Sequence, residues 1–62
     1  MYIDVYMELE KITLEAFRCT DGDNAVWIPR SLIDEDATEV EEVGDSGVVW
    51  MEHWFAQQEG LI

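Results

Sequence analysis

One histidine, His53, and one cysteine, Cys19, are the only imidazole and the only soft nucleophile among 62 residues. A Cys–His nucleophilic pair needs the two side chains within hydrogen-bond reach. Cys19 falls at the end of a first hairpin strand and His53 at the start of a C-terminal helix. Contact between them is open, but a packed thiol and a surface imidazole account for both without chemistry. Carboxylates are abundant, yet acid–base work needs a pocket or apolar neighbour that raises one pKa, and no such setting is evident. Asp34-Glu35-Asp36 opens like a calcium loop but lacks the required glycine and the closing glutamate spacing. One His and one Cys fall short of the four ligands of a structural zinc site. The expectation is a non-enzyme with no metal and no cofactor.

Binding chemistry has more material. The cations are Lys11, Arg18 and Arg30. Arg30 follows Trp27-Ile28-Pro29, and a guanidinium beside an indole can stack on a nucleobase or pin a phosphate. One reading is a pocket of Trp27, Arg30, Ser31 and Arg18, shared between protomers, that sequesters an anionic nucleotide. The other is that Trp27 is core and Arg30 pairs with neighbouring acids. Fifteen Asp and Glu oppose the three cations, for a net charge of −12. That balance disfavours direct contact with nucleic-acid backbones and with anionic membranes. It favours a protein partner with a basic surface. Seven of the acids, Asp34, Glu35, Asp36, Glu39, Glu41, Glu42 and Asp45, lie within twelve positions that hold no basic residue. Such a run is either a solvated loop face or a surface that imitates a phosphate strand and fills a basic groove.

The elements that must carry these groups are mostly strands. Ile3, Val5, Met7 and Leu9 alternate with polar residues, the period of a half-buried strand. The phase slips after Lys11, which predicts a bulge near Glu10–Lys11 and moves the apolar face to Ile12, Leu14 and Ala16. Residues 2–19 form one long bent strand or two shorter ones. Thr20-Asp21-Gly22-Asp23-Asn24 is a hairpin loop, Ala25–Ile28 the returning strand, and Pro29 its end or a mark of an edge. Ser31-Leu32-Ile33 is a short turn that tucks an apolar residue under the sheet. Val40 and Val43 suggest a weak strand within the acidic run, Gly44–Gly47 a turn, and Val48–Met51 the last strand. Glu52–Glu59 reads as a two-turn helix with Trp54, Phe55 and Ala56 on its apolar side. Glu52 sits in the first turn, and Gly60 and Leu61 complete a C-cap. The fold class is mainly β with one short C-terminal helix: a small antiparallel sheet, or an SH3-like or OB-like half-closed barrel.

Two spaced signatures in this order, Trp27-Ile28-Pro29-Arg30-Ser31-Leu32-Ile33 and Trp54-Phe55-Ala56…Gly60-Leu61, resemble those of small bacteriophage and prophage proteins that share a WIPxSxI core and a terminal WxAxxxGL. The resemblance covers roughly residues 13–62 and leaves out the Met1–Lys11 strand. It implies a viral accessory origin and carries no catalytic residues across.

A 62-residue chain is a single domain with a small core, and a lone cysteine excludes an internal disulfide. Oligomerisation is the remaining source of stability. Trp50, Trp54, Phe55 and Leu61 are the expected contact between copies, with the strand edge beside Trp27 second. Met1–Glu10 lacks the basic region of a signal peptide, and no apolar run approaches the ~18 residues of a membrane span. The expected setting is the cytoplasm of a bacterial host, where an unpaired thiol stays reduced.

Overall fold

The computed structural model describes residues 1–62. The chain runs β1 (Tyr2–Ile12), β2 (Ala16–Thr20), β3 (Ala25–Pro29), a 3-10 turn (Arg30–Leu32), β4 (Ser46–Glu52) and α1 (His53–Gln58). The strands form one antiparallel sheet in the order β3-β2-β1-β4. β3 and β4 lie at opposite edges and do not meet, so the sheet stays open and the half-closed barrel is not formed.

The alternation along β1 sets the inner face. Val5, Met7 and Leu9 are buried, while Tyr6 and Glu8 are exposed. The slip in β1 is real: the register with β2 shifts between Leu9 and Lys11, leaving Glu10 as the extra residue. Beyond Ser46, Leu9 continues the β4 side of the ladder, donating to the Asp45 carbonyl and accepting from the Gly44 amide, both at 2.8 Å.

Beyond the bulge the chain departs from the expected phase. β1 and β2 are separate strands joined by a tight turn at Leu14-Glu15. The Thr13 hydroxyl accepts from the Glu15 and Ala16 amides at 3.3 and 3.0 Å. The Thr13 amide donates to the Ala16 carbonyl at 2.8 Å. Reversing the chain there restarts the alternation, so Phe17 and Cys19 turn inward and Leu14 is left exposed.

The later elements are set by local chemistry. Asp21 closes the β2–β3 loop by accepting from the Asp23 and Asn24 amides at 3.0 and 2.8 Å. Those bonds hold its carboxyl below the usual carboxylate range. Pro29 ends β3, and the 3-10 turn delivers Ile33 to the core, where it bridges Met51. Gly60, at φ +74°, takes the left-handed position that ends α1. The Leu61 amide then reaches back to the Ala56 carbonyl at 2.9 Å and the Gly60 amide to that of Gln57 at 3.3 Å, a Schellman cap.

The core is one-sided. Thirteen buried apolar residues form a single cluster between the inner face of the sheet and a covering layer that includes Ile33, Val40, Phe55 and Ala56. No weak strand forms in the acidic run. Val40 is buried by a loop that crosses under the sheet, and Val43 is exposed. No helix is long and apolar enough to cross a membrane.

Candidate functional site

The acidic segment is laid along the β4 edge and is pinned there. Val48 donates to the Glu39 carboxylate at 2.9 Å and accepts from the Glu39 amide at 2.8 Å. Trp50 donates to the Thr38 hydroxyl at 2.9 Å and accepts from the Asp34 amide at 2.9 Å. Gly47 lets Glu39 cross closely, since a β-carbon there would meet the Glu39 side chain at 3.0 Å. At the far end one Asp45 oxygen takes the amides of Glu41 and Glu42, at 3.0 and 2.9 Å. Those two bonds lower its pKa.

The seven acids of the run therefore divide. Asp34, Glu39 and Asp45 accept backbone amides and hold the loop. Glu35 grips Arg30 through two bonds of 3.1 and 2.7 Å, and the guanidinium holds its carboxyl below the ordinary range. Asp36, Glu41 and Glu42 are exposed with carboxylates that make no hydrogen bond and face solvent. Across the whole chain only Glu10, Glu35 and Glu52 are ion-paired, which leaves twelve of the fifteen acids without a cation.

The residues of the nucleotide-pocket reading are not brought together within one chain. Arg18 and Trp27 are cross-strand partners on the outer face of the sheet. There the guanidinium lies 5.7 Å from the indole centroid and bonds Glu10 at 3.3 Å. Arg30 lies on the inner side, 5.0 Å from the Phe17 ring. It borders an open groove of about 390 Å³ shared with Ile12, Glu35, Thr38, Val40 and Glu41. Its charge is met by Glu35, and Glu41 adds a second acid, so the groove repels anions. Ser31 is exposed on the 3-10 turn. Trp27 is not core: it is 44% exposed.

The C-terminal aromatics also part company. Phe55 is turned into the core, and Trp54 stands outside it, half exposed, in an edge-on contact of 5.9 Å with Phe55. Trp50 is half-buried on the outer face of β4, opposite Asp4 of β1. Leu61 packs against the core edge. These four residues do not form one patch, and Trp54 lies off the apolar side of the helix to which its spacing assigned it.

Cys19 is fully buried, whereas His53 is exposed, and no hydrogen bond joins them. Burial and the nearby Glu10 charge push the Cys19 thiol up to about 11, so it stays protonated and weakly nucleophilic at neutral pH. No group of three or more His, Cys, Asp or Glu side chains is arranged to hold a metal ion.

Sequence reading overlooked the outer face of the sheet. The polar phase of β1 carries Tyr2 and Tyr6, both exposed, on the same side as Trp27 and Trp50. The signal was present in the period-two alternation, where both tyrosines occupy outward positions. No family model, curated protein or solved structure matches this chain.

Proposed function

We propose that this chain is a small acidic binding protein of viral origin that docks on a basic surface of a bacterial host protein and blocks it. A nucleic-acid-handling or antiviral-defence protein is the partner class whose surface fits. The observation that carries this reading is the surplus of charge on a fixed frame. Twelve acids have no cationic partner, and the densest group is held along β4 by backbone bonds. Preorganised charges lose little entropy on binding and steer a basic partner from a distance. The viral origin rests on the two spaced Trp-containing signatures, and the protein acts by occupancy in the host cytoplasm, without catalysis. The Trp27–Arg30 nucleotide pocket has less support, because its two arginines lie on opposite sides of the sheet, each held by an acid.

The test is capture from bacterial lysate on immobilised protein across a salt series. A basic, nucleic-acid-binding protein is retained at low salt and released as salt rises, and neutralising Asp36, Glu41 and Glu42 together to Asn and Gln weakens its retention. Those three carboxylates hold no part of the fold, so the variant keeps its structure. Recovery of no basic protein at low salt would overturn the proposal.

A further inference from the structure

The β3 edge of the sheet is uncovered, and its chemistry is unlike that of the rest of the molecule. β3 reads Ala25-Val26-Trp27-Ile28-Pro29 and is the only strand without a charged residue, in a chain of net charge −12. Its hydrogen-bonding parity is fixed by two flanking bonds, Asp21 N–H to the Asn24 carbonyl at 3.1 Å and Arg30 N–H to the Glu15 carbonyl at 2.8 Å. In an antiparallel ladder the residues that bond inward alternate, so Val26 and Ile28 bond β2, while Ala25, Trp27 and Pro29 turn their backbone groups outward. Pro29, which has no N–H to give, occupies an outward position and removes nothing from the ladder.

We propose that a second copy of this chain pairs antiparallel on this edge, with the two-fold axis at Trp27, joining two four-stranded sheets into one of eight. The edge is self-complementary in that register. Trp27 of each copy exchanges both of its backbone bonds with Trp27 of the other. Each Ala25 N–H meets the Pro29 carbonyl of the other, which needs only an acceptor there. Val26 falls opposite Ile28 of the second copy on the inner face, so the buried cluster becomes continuous across the junction. Asn24 falls opposite Arg30 and Asp23 opposite Ser31, so no acid stands directly opposite an acid across the junction. An uncharged strand is the one stretch two such anionic chains can bring into contact without direct repulsion. Glu35, the acid of the run nearest the junction, is paired with Arg30, and the residues pinned to Val48 and Trp50 lie at the far ends of the joined sheet.

Sedimentation over a concentration and salt series tests this, with amide exchange read on the same samples. The expected result is a mass approaching twice 7.2 kDa, strengthening as salt screens the charge. That salt sign is opposite to the one expected for a basic partner, so either proposal can fail alone. The Ala25 and Trp27 amides exchange slowly at high concentration and at least tenfold faster on dilution. Trp27→Glu, whose new carboxylate faces Arg18 across the strand, gives a monomer at every concentration, whereas Trp54→Glu on α1 leaves association unchanged. A wild-type monomer at every salt overturns the proposal. So does a dimer abolished by Trp54→Glu alone, or one whose Trp27 amide exchanges freely. The wild-type exchange measurement decides the matter even where a variant fails to fold.

Discussion

At the β4 edge the outward backbone groups of Val48 and Trp50 all have partners: two carbonyls taken by the Asp34 and Glu39 amides, two amides taken by the Thr38 hydroxyl and the Glu39 carboxylate. At the β3 edge the outward groups of Ala25 and Trp27 face away from the sheet, blunted only by Pro29. The strap that satisfies β4 is the most acidic stretch of the chain, and the bare strand has no charge at all. The contrast teaches that the acids near β4 have two kinds of work. Some replace the missing neighbour strand, and the others, anchored by them, project into solvent. Exposed edges are templates for further pairing; the chain closes one of its edges itself and leaves the other bare.

Loosening the strap should produce the largest change. Ile33→Ala truncates the buried side chain by which the start of the strap enters the core, and a loss of about 2–5 kcal/mol is expected by urea denaturation. A comparable truncation on the bare edge, Ala25→Gly, should cost under about 1 kcal/mol. Equal losses at the two edges would erase the contrast.

Thr38→Val tests the strap at a single bond. It keeps the shape and leaves the Trp50 amide without an acceptor, for an expected loss of about 1–3 kcal/mol. Amide exchange should localise the effect to Trp50 and its neighbours. Thr13→Ala, which removes the hydroxyl that closes the β1–β2 turn, should cost about 1 kcal/mol without changing exchange at either edge.

The smallest effect should come from acid. The pKa values of Asp21, Glu35 and Asp45 are lowered by amides or by Arg30. Their contribution is complete above the ordinary carboxylate range near pH ~4 and is lost as pH falls through their lowered values. Proton-exchange and chemical-shift titration should show the Asp21 hairpin, the Arg30–Glu35 pair and the Asp45 turn loosening below about pH 4, with the Thr38–Trp50 bond, which involves no carboxyl, unchanged.

Much of this architecture was legible where one residue type forces one geometry. The phase slip in β1 located the Glu10 bulge, the Asp-Gly-Asp-Asn cluster located the β2–β3 hairpin, Pro29 marked an edge, and Gly60 marked the helix end. The β1–β2 turn escaped because Leu14-Glu15 contains no turn former: the Thr13 hydroxyl closes it from outside the loop. That omission misassigned the facing of Phe17 and Leu14, since a reversal resets an alternation that an unbroken strand would have carried on. The acidic run defeated pattern reading for another reason. Val40 and Val43 have strand-like character, but the segment meets β4 half through the Asp34 and Glu39 amides and half through the Thr38 and Glu39 side chains, and such mixed pairing has no period. The division of the seven acids into those that hold the loop and those that face solvent required the hydrogen bonds themselves.

Cys19 lies at full burial near the end of β2, with its thiol kept protonated. No reagent in solution can reach it unless the covering layer lifts from the sheet or the sheet itself opens. The rate at which a thiol reagent modifies the native protein thus counts excursions to an open molecule, without a denaturant and without an added label. At low reagent that rate gives the population of the open state, and at high reagent the frequency of opening. The chain carries its own stopwatch at its centre, and any second molecule that holds the sheet and its covering layer together will slow it.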